Sequence, residues 1–368
     1  MNQDAKFLRE ALDLAALGKG QTSPNPVVGA IVVRDGVAIG RGFHTWNGVK
    51  HAEILALEEA GVNAAGSTVY LTLEPCSHEG RTPPCSEALI SAGIARLVCA
   101  MEDPNPMVKG KGFAALRNAG IVVDLLSEFT GEAEKLNEAF VHFMRTGRPL
   151  VLLKSALTLD GKIAAPWDNS GWITSERARA HVQELRHGCD AILTGIGTLL
   201  SDDCLLTDRS GDERSRPLLR IVVDSLLRTP VESKMVRSCR NDVLIATTSA
   251  ADADKRKLLE DAGVRVVAFD GTRGRVSLRK LVDYLASQRY LSLMIEAGSK
   301  INWAALEEEI VDKVFLYYAP KILGGLQSLP VAGGIGKMSR AEAILFERVQ
   351  LHPIPPDEFA VEAYVVKD

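Results

Sequence analysis

His51-Ala-Glu53, followed after a gap by Thr72-Leu-Glu-Pro-Cys76-Ser-His-Glu-Gly-Arg-Thr-Pro-Pro-Cys85, is the stretch on which the reading of this chain turns. One imidazole and two thiolates offer three of the four positions of a tetrahedral zinc, and a catalytic site leaves the fourth for water. Glu53 is then a carboxylate able to carry protons between that water and a leaving amine. His51 and Glu53 are two residues apart, and on a helix such neighbours point to nearly opposite sides. They converge only in a first helical turn, with the metal beyond the helix end. Ile54, Leu55 and Leu57 follow and Gly61 signals a stop, so a helix opening at His51 fits. Thr82-Pro-Pro-Cys85 reads as the cap and first turn of a second helix. Two helix N-termini would face one metal, and their positive ends would help keep thiolates charged. A structural zinc would need a fourth protein ligand, for which His78 is the nearby candidate.

Around this stretch the chain alternates strand-like and helix-like segments. Gln3 to Leu17 has helical apolar spacing, and Ser23-Pro-Asn-Pro-Val-Val-Gly29 leads into a β-branched strand that turns at Asp35-Gly36. A strand at residues 67–73 delivers Glu74-Pro75-Cys76, and further strands are expected at 95–100 and 121–126 with a helix at 111–120. One helix is expected over residues 131–144, and Thr146-Gly-Arg-Pro149 is the boundary candidate. The pattern then restarts, with strands near 150–154, 191–194, 218–224, 243–247, 264–269, 291–296, 314–318 and 360–366, and helices at 175–187 and 278–285. Such alternation predicts α/β layers with functional loops at strand ends.

A length of 368 residues suits about two domains, and 46% apolar content supports real cores. A net charge of −4 provides no basic field for a polynucleotide backbone, so no nucleic acid is expected as partner. No apolar run nears the roughly 20 residues of a membrane span, and no signal core precedes the first helix. Six cysteines in a chain this long are no disulfide scaffold, and the expected setting is the cytoplasm. Nothing in the residues decides whether the chain forms a homo-oligomer.

Taken together, Ser-Pro-Asn-Pro-Val-Val-Gly29, His-Ala-Glu53, the Cys76…Cys85 segment and Asp103-Pro-Asn-Pro resemble the cytidine-deaminase-like zinc enzymes. The eight residues between the cysteines, with Gly80-Arg-Thr-Pro-Pro among them, resemble the riboflavin-biosynthesis branch rather than deaminases with two. The resemblance implies His51, Cys76 and Cys85 as zinc ligands, Glu53 as proton shuttle and Asn25 as a substrate contact. His78 and Arg81, in the inserted loop, are further candidate substrate contacts.

The second half is harder to read from residues alone. Thr194-Gly-Ile-Gly-Thr-Leu-Leu200 lacks the third glycine of a dinucleotide fingerprint, and Glu296-Ala-Gly-Ser and Leu323-Gly-Gly are weak signals. However, Leu153-Lys-Ser-Ala-Leu-Thr-Leu-Asp-Gly-Lys-Ile-Ala164, Trp172-Ile-Thr, Asp190-Ala-Ile-Leu-Thr-Gly195, Leu206-Thr-Asp-Arg209 and Ile221-Val-Val-Asp-Ser225 fall in order. They resemble the reductase half of the bifunctional riboflavin-biosynthesis deaminase/reductase family. This implies an α/β chain with a three-layer α/β/α cytidine-deaminase-like domain at 1–146 and a dihydrofolate-reductase-like, NADPH-dependent domain at 147–368. A phosphoribosylamino-pyrimidine would be deaminated, and its ribosyl group then reduced to ribityl. Lys154 is the candidate proton donor, and Ser170, Arg186, Leu206, Arg209 and Glu296 match substrate positions. Both arginines suit a 5′-phosphate by their bidentate forks. Ala156, Trp172, Thr198, Asp202, Ser225, Gly298 and Ser299 match cofactor positions. Cys204 stands where the family usually has proline, a change expected to loosen that turn; the residue after Asp312 is not acidic, and Glu296-Ala-Gly replaces the frequent Glu-Gly-Gly. Two other readings fit the residues: a zinc deaminase of another small nucleotide or pterin fused to a drifted reductase, and a non-enzymatic nucleotide sensor with structural zinc.

Overall fold

In a computed structural model, residues 3–46, 50–77, 83–167 and 170–367 are described. They divide into two compact units, one of Met1–Gly147 with Glu213–Arg216, the other of Arg148–Asp212 with Pro217–Asp368.

The first unit runs α1 (Gln3–Ala16), β1 (Gly29–Arg34), β2 (Val37–Phe43), α2 (Ala52–Ala60), β3 (Thr68–Leu71), α3 (Cys85–Ser91), β4 (Arg96–Cys99), α4 (Lys111–Asn118), β5 (Val122–Leu125), α5 (Thr130–Leu136) and α6 (Glu138–Thr146). Its sheet has the order β2-β1-β3-β4-β5, with β1 antiparallel to both neighbours and the remaining pairs parallel. Two glycines show how helices cover both faces. A Cβ at Gly29 would lie 2.0 Å from Ala11 O of α1, and one at Gly42 would lie 2.3 Å from Ala52 O of α2. Gly42 pairs across the ladder with Ala30, the neighbour of Gly29, so alternation of the pleat puts the two glycines on opposite faces. Helices therefore press on both faces, giving the three layers expected.

One element departs from its sequence pattern. The helix expected over 131–144 is broken at Asn137 (φ −104°, ψ 24°) into α5 and α6. The buried Asn137 side chain accepts from Val27 N–H at 2.8 Å and donates to Val27 O at 3.0 Å, so it clips the segment before β1. Helical periodicity cannot show such a bond.

The second unit runs β6 (Leu150–Thr158), β7 (Lys162–Ala164), α7 (Glu176–His187), β8 (Ala191–Gly195), α8 (Ile196–Asp202), β9 (Leu219–Val223), α9 (Lys234–Arg237), β10 (Val243–Thr247), α10 (Ala253–Asp261), β11 (Arg265–Ala268), α11 (Leu278–Ser287), β12 (Ser292–Ile295), α12 (Ser299–Glu307), β13 (Lys313–Ala319), β14 (Leu329–Pro330), β15 (Phe346–Ile354) and β16 (Glu358–Val365). Nine strands form one sheet in the order β11-β10-β9-β8-β12-β6-β13-β16-β15, parallel except at β16 and β15, while β7 and β14 pair separately. Its inner strands are apolar runs buried on both faces, as parallel strands are. Val151, Leu153, Leu193, Ile221 and Ile295 enter one core with α11; Leu152, Ile192, Val222 and Met294 enter the other with α7. The same alternation sends Lys154 and Glu296 to the α7 face, in adjacent strands whose register pairs Leu153 with Ile295. Among the described residues no helix is long and apolar enough to cross a membrane.

Gly29→Ala should destabilise the first unit by about 2–4 kcal/mol, because the added carbon meets helix backbone rather than a movable side chain. A denaturant titration read through the first unit checks this; an unchanged midpoint would show that α1 can back away freely.

Candidate functional site

In the first unit, β3 ends at Leu71 and the chain continues to Glu74-Pro75-Cys76, while His51 is the N-cap of α2 and Cys85 the first residue of α3. One ligand atom each from His51, Cys76 and Cys85 lies within 4.8 Å of the others. His51 Nδ1 is 3.1 Å from Cys85 Sγ and 3.7 Å from Cys76 Sγ. Around a tetrahedral zinc a nitrogen and a sulfur ligand stand about 3.6 Å apart, so this donor set fits the ion. The Cys85 N–H, an orphan donor of the first turn of α3, donates to Cys76 Sγ at 3.3 Å. A hydrogen bond from the Cys85 side chain, then one from His51, holds the Cys76 thiol down at about 4, and the same bond to Cys76 pushes Cys85 up.

Glu53, buried in the first turn of α2, has its carboxyl raised by desolvation, an effect His51 opposes. His44 packs edge-on to His51 with ring centroids 5.2 Å apart. Its Nδ1 lies 3.0 Å from Lys50 O, which can only accept, so Nε2 is left to accept from Asn25 Nδ2 at 3.1 Å. That bond orients the Asn25 amide. Glu74 is equally buried, and its two oxygens accept from the N–H groups of Asp103, Gly110, Gly112 and Phe113 at 2.9–3.2 Å. It thereby ties the Cys76 loop to the start of α4. Neither His44 nor Glu74 was singled out by sequence: Glu74 acts through backbone N–H groups that carry no residue signature, and His44 meets Asn25 only in the fold.

In the second unit Lys154 Nζ is 3.0 Å from Glu296 Oε1, and Arg186 reaches Glu296 Oε2 through Nη2 at 2.9 Å and Nε at 3.1 Å. Burial alone would raise the Glu296 carboxyl; the charges of Lys154 and Arg186 outweigh it and hold the group at about 2. Lys154 is buried and no snorkelling surface side chain. Arg186, expected as a substrate contact, directs its fork at Glu296 and also donates to Thr207 O at 3.0 Å. A guanidinium this buried has to be paired, since an isolated charge there would be costly.

Of the residues matched to the cofactor, Thr198, Ser225, Gly298 and Ser299 follow the C-terminal ends of strands. Thr198 lies in the first turn of α8, directly after β8, and Gly298-Ser299 opens α12 after β12, the strand adjacent to β8. A Cβ at Gly298 would lie 3.5 Å from Thr198 Oγ1, so the two helix openings adjoin. Such paired N–H ends suit an anionic dinucleotide, and these residues fit NADPH. Ser225 follows β9, its carbonyl accepting from Thr248 Oγ1 at 2.9 Å, and Ala156 lies on β6. Trp172 is 69% exposed with Arg179 4.7 Å over its ring, leaving the indole open to a ligand. Asp202 is the exposed last residue of α8. The turn beyond it is closed by Asp203 in the left-handed region (φ 41°), whose carboxylate accepts from Lys234 N–H at 2.8 Å next to Cys204.

The chain matches the description "RibD C-terminal domain" over residues 149–356 and "Cytidine and deoxycytidylate deaminase zinc-binding region" over residues 1–101. It is 40% identical over 343 residues to riboflavin biosynthesis protein RibD of Actinobacillus pleuropneumoniae, covering 93% of this chain and 90% of the relative. The RibD protein of Escherichia coli K12 is 41% identical over 363 residues, covering 95% and 96%. The chain belongs to the RibD family. Among solved structures, Acinetobacter baumannii RibD superposes with a TM-score of 0.87 at 35% identity, covering 99% of each chain. A diaminohydroxyphosphoribosylaminopyrimidine deaminase/5-amino-6-(5-phosphoribosylamino)uracil reductase from Thermotoga maritima gives a TM-score of 0.84 at 34% identity, covering 99% of each. As in that family, a cytidine-deaminase-like zinc domain precedes a dihydrofolate-reductase-like domain that uses NADPH.

Of the remaining expected substrate contacts, Arg209 is exposed with its backbone N–H bonded to Gln183 Oε1 at 3.0 Å, Ser170 is exposed, and Leu206 is buried at φ 51°. His78 and Arg81 lie outside the described residues.

The depressed Glu296 carboxyl has a consequence for stability. A carboxyl held below its ordinary value of about 4.3 stabilises the fold fully above that pH and loses the contribution as pH falls toward the folded value. Between about pH 7 and about pH 3 the wild-type denaturant midpoint should therefore fall further than that of Glu296→Gln; parallel falls would show an unshifted carboxyl.

Proposed function

We propose that the deaminase and reductase chemistry of this RibD-family enzyme is divided between the two units, with the residues above in specific roles. The substrate is a phosphoribosylamino-diaminopyrimidine, which loses an amine as ammonia and then has its ribosyl group reduced to ribityl. Zinc bound by His51, Cys76 and Cys85 supplies Lewis acidity for hydrolysis, and NADPH supplies a hydride.

The observation that carries the deaminase half is a buried carboxylate, Glu53, in the same first turn as the His51 ligand. Glu53 accepts a proton from the attacking water and returns it to the departing amine, so one carboxylate serves both directions. The raised carboxyl suits this, because it brings proton affinity closer to neutral pH. Asn25, its amide nitrogen engaged by His44, keeps its carbonyl oxygen for a donor on the substrate.

In the reductase half, opening of the ribosylamine exposes C1′ as the hydride acceptor. Lys154, ion-paired with Glu296, protonates the atom that gains the electron pair, while Arg186 pairs with the second Glu296 oxygen. Arg209 binds the 5′-phosphate with its exposed guanidinium. The setting we propose is the reducing cytoplasm, where the thiols of Cys76 and Cys85 stay available to zinc.

Glu53→Gln should retain zinc yet lose deamination by about 10²–10⁴-fold, the usual contribution of a positioned proton carrier. NADPH-dependent reduction of separately supplied deaminated intermediate should persist in the same protein. Deamination at the wild-type rate, with products identified by mass, would sink the shuttle role.

A further inference from the structure

The last turns of α7 hold consecutive residues of the loop that carries Arg209. Arg186 Nη1 donates to Thr207 O at 3.0 Å, His187 Nδ1 donates to Asp208 Oδ2 at 2.9 Å, and Gln183 Oε1 accepts from Arg209 N–H at 3.0 Å. Ser210 Oγ lies 3.2 Å from the same His187 nitrogen. From β9 the buried Arg220 donates to Leu205 O at 3.1 Å. The loop is thus pinned through both residues flanking Leu206, whose backbone sits in the left-handed region at φ 51°. A branched residue stays there only when its surroundings over-determine it, and such positions gather at ligand clamps.

This anchoring also has a direction. Residues 183, 186 and 187 follow the i, i+3, i+4 spacing, so they lie on one side of α7. The middle residue, Arg186, bonds both the loop and Glu296, which bonds Lys154. Loop and proton-donor centre are therefore referred to the same helix turn. The buried His187 and the half-buried Asp208 add a hold on the loop that does not pass through Glu296.

We propose that the His187–Asp208 bond is a positioning device: it holds the backbone of Arg209 so that its guanidinium meets the substrate's 5′-phosphate in register with Lys154. The inference rests on the reading that Arg209 contacts that phosphate. Side-chain exposure leaves Arg209 mobile by itself, so its selectivity depends on a backbone that does not move.

The test uses the full chain and steady-state reduction of two substrates, the deaminated phosphoribosylamino-pyrimidine and its 5′-dephosphorylated counterpart. His187→Ala should lower the kcat/KM preference for the phosphorylated substrate by about tenfold, the effect of losing one hydrogen bond to a charged group. The loss should lie in the KM for the phosphorylated substrate, with the KM values for its counterpart and for NADPH unchanged. His187→Asn, whose amide N–H can replace Nδ1–H, should restore most of the preference. Wild-type preference in His187→Ala, alongside its loss in Arg209→Ala, overturns the positioning role and leaves the phosphate reading intact. Wild-type preference in Arg209→Ala overturns the phosphate reading and the inference with it. Should His187→Ala fail to fold, the isosteric Asp208→Asn decides: a fall of about threefold supports the inference and an unchanged ratio overturns it.

Discussion

An ionised carboxylate withdrawn from water persists only where cations or N–H dipoles replace its hydration, and both halves of this protein are arranged around that constraint. Glu296 meets it with two cations, Lys154 and Arg186. Glu74 meets it with four backbone N–H groups, two from the opening of α4 and two from the preceding loop. At Glu53 burial outweighs what His51, its own backbone N–H and Cys85 return, and so drives its carboxyl toward the neutral form. The difference separates roles: the first two are fixed by the donors around them, while the third can exchange a proton.

The same logic places the two chemistries at the ends of strands. In the first unit β3 delivers Cys76 to the N-termini of α2 and α3, where orphan N–H groups favour thiolate. In the second, β6 and β12 run parallel in register, so one pleat orientation carries Lys154 and Glu296 to a common face under α7. The rigid elements bring the reacting groups within hydrogen-bond reach, and the loop bearing Arg209 is fastened to the same helix.

Legibility from sequence followed the range of the signal. The His51, Glu53, Cys76 and Cys85 pattern could be read because its residue types carry the chemistry themselves; one helix was read from the apolar residues after Glu53 and the stop at Gly61, the other from Thr82-Pro-Pro-Cys85. The polar helix α10, with only Leu259 buried, and the exposed edge strand β15 carried no apolar period and went unread. The break at Asn137 was invisible because its cause is a partner, Val27, 110 residues away.

By itself, then, the sequence determined the metal-binding donor set, the alternation of strands and helices, and the collinear motifs of two linked domains, since each is a local property of residue type and spacing. Tertiary structure alone decided that Arg186 faces Glu296, that His44 orients Asn25, and that His187 clasps Asp208. A guanidinium or an imidazole is drawn to whichever acceptor the packed sheet leaves nearest, and that distance exists only once the chain has folded.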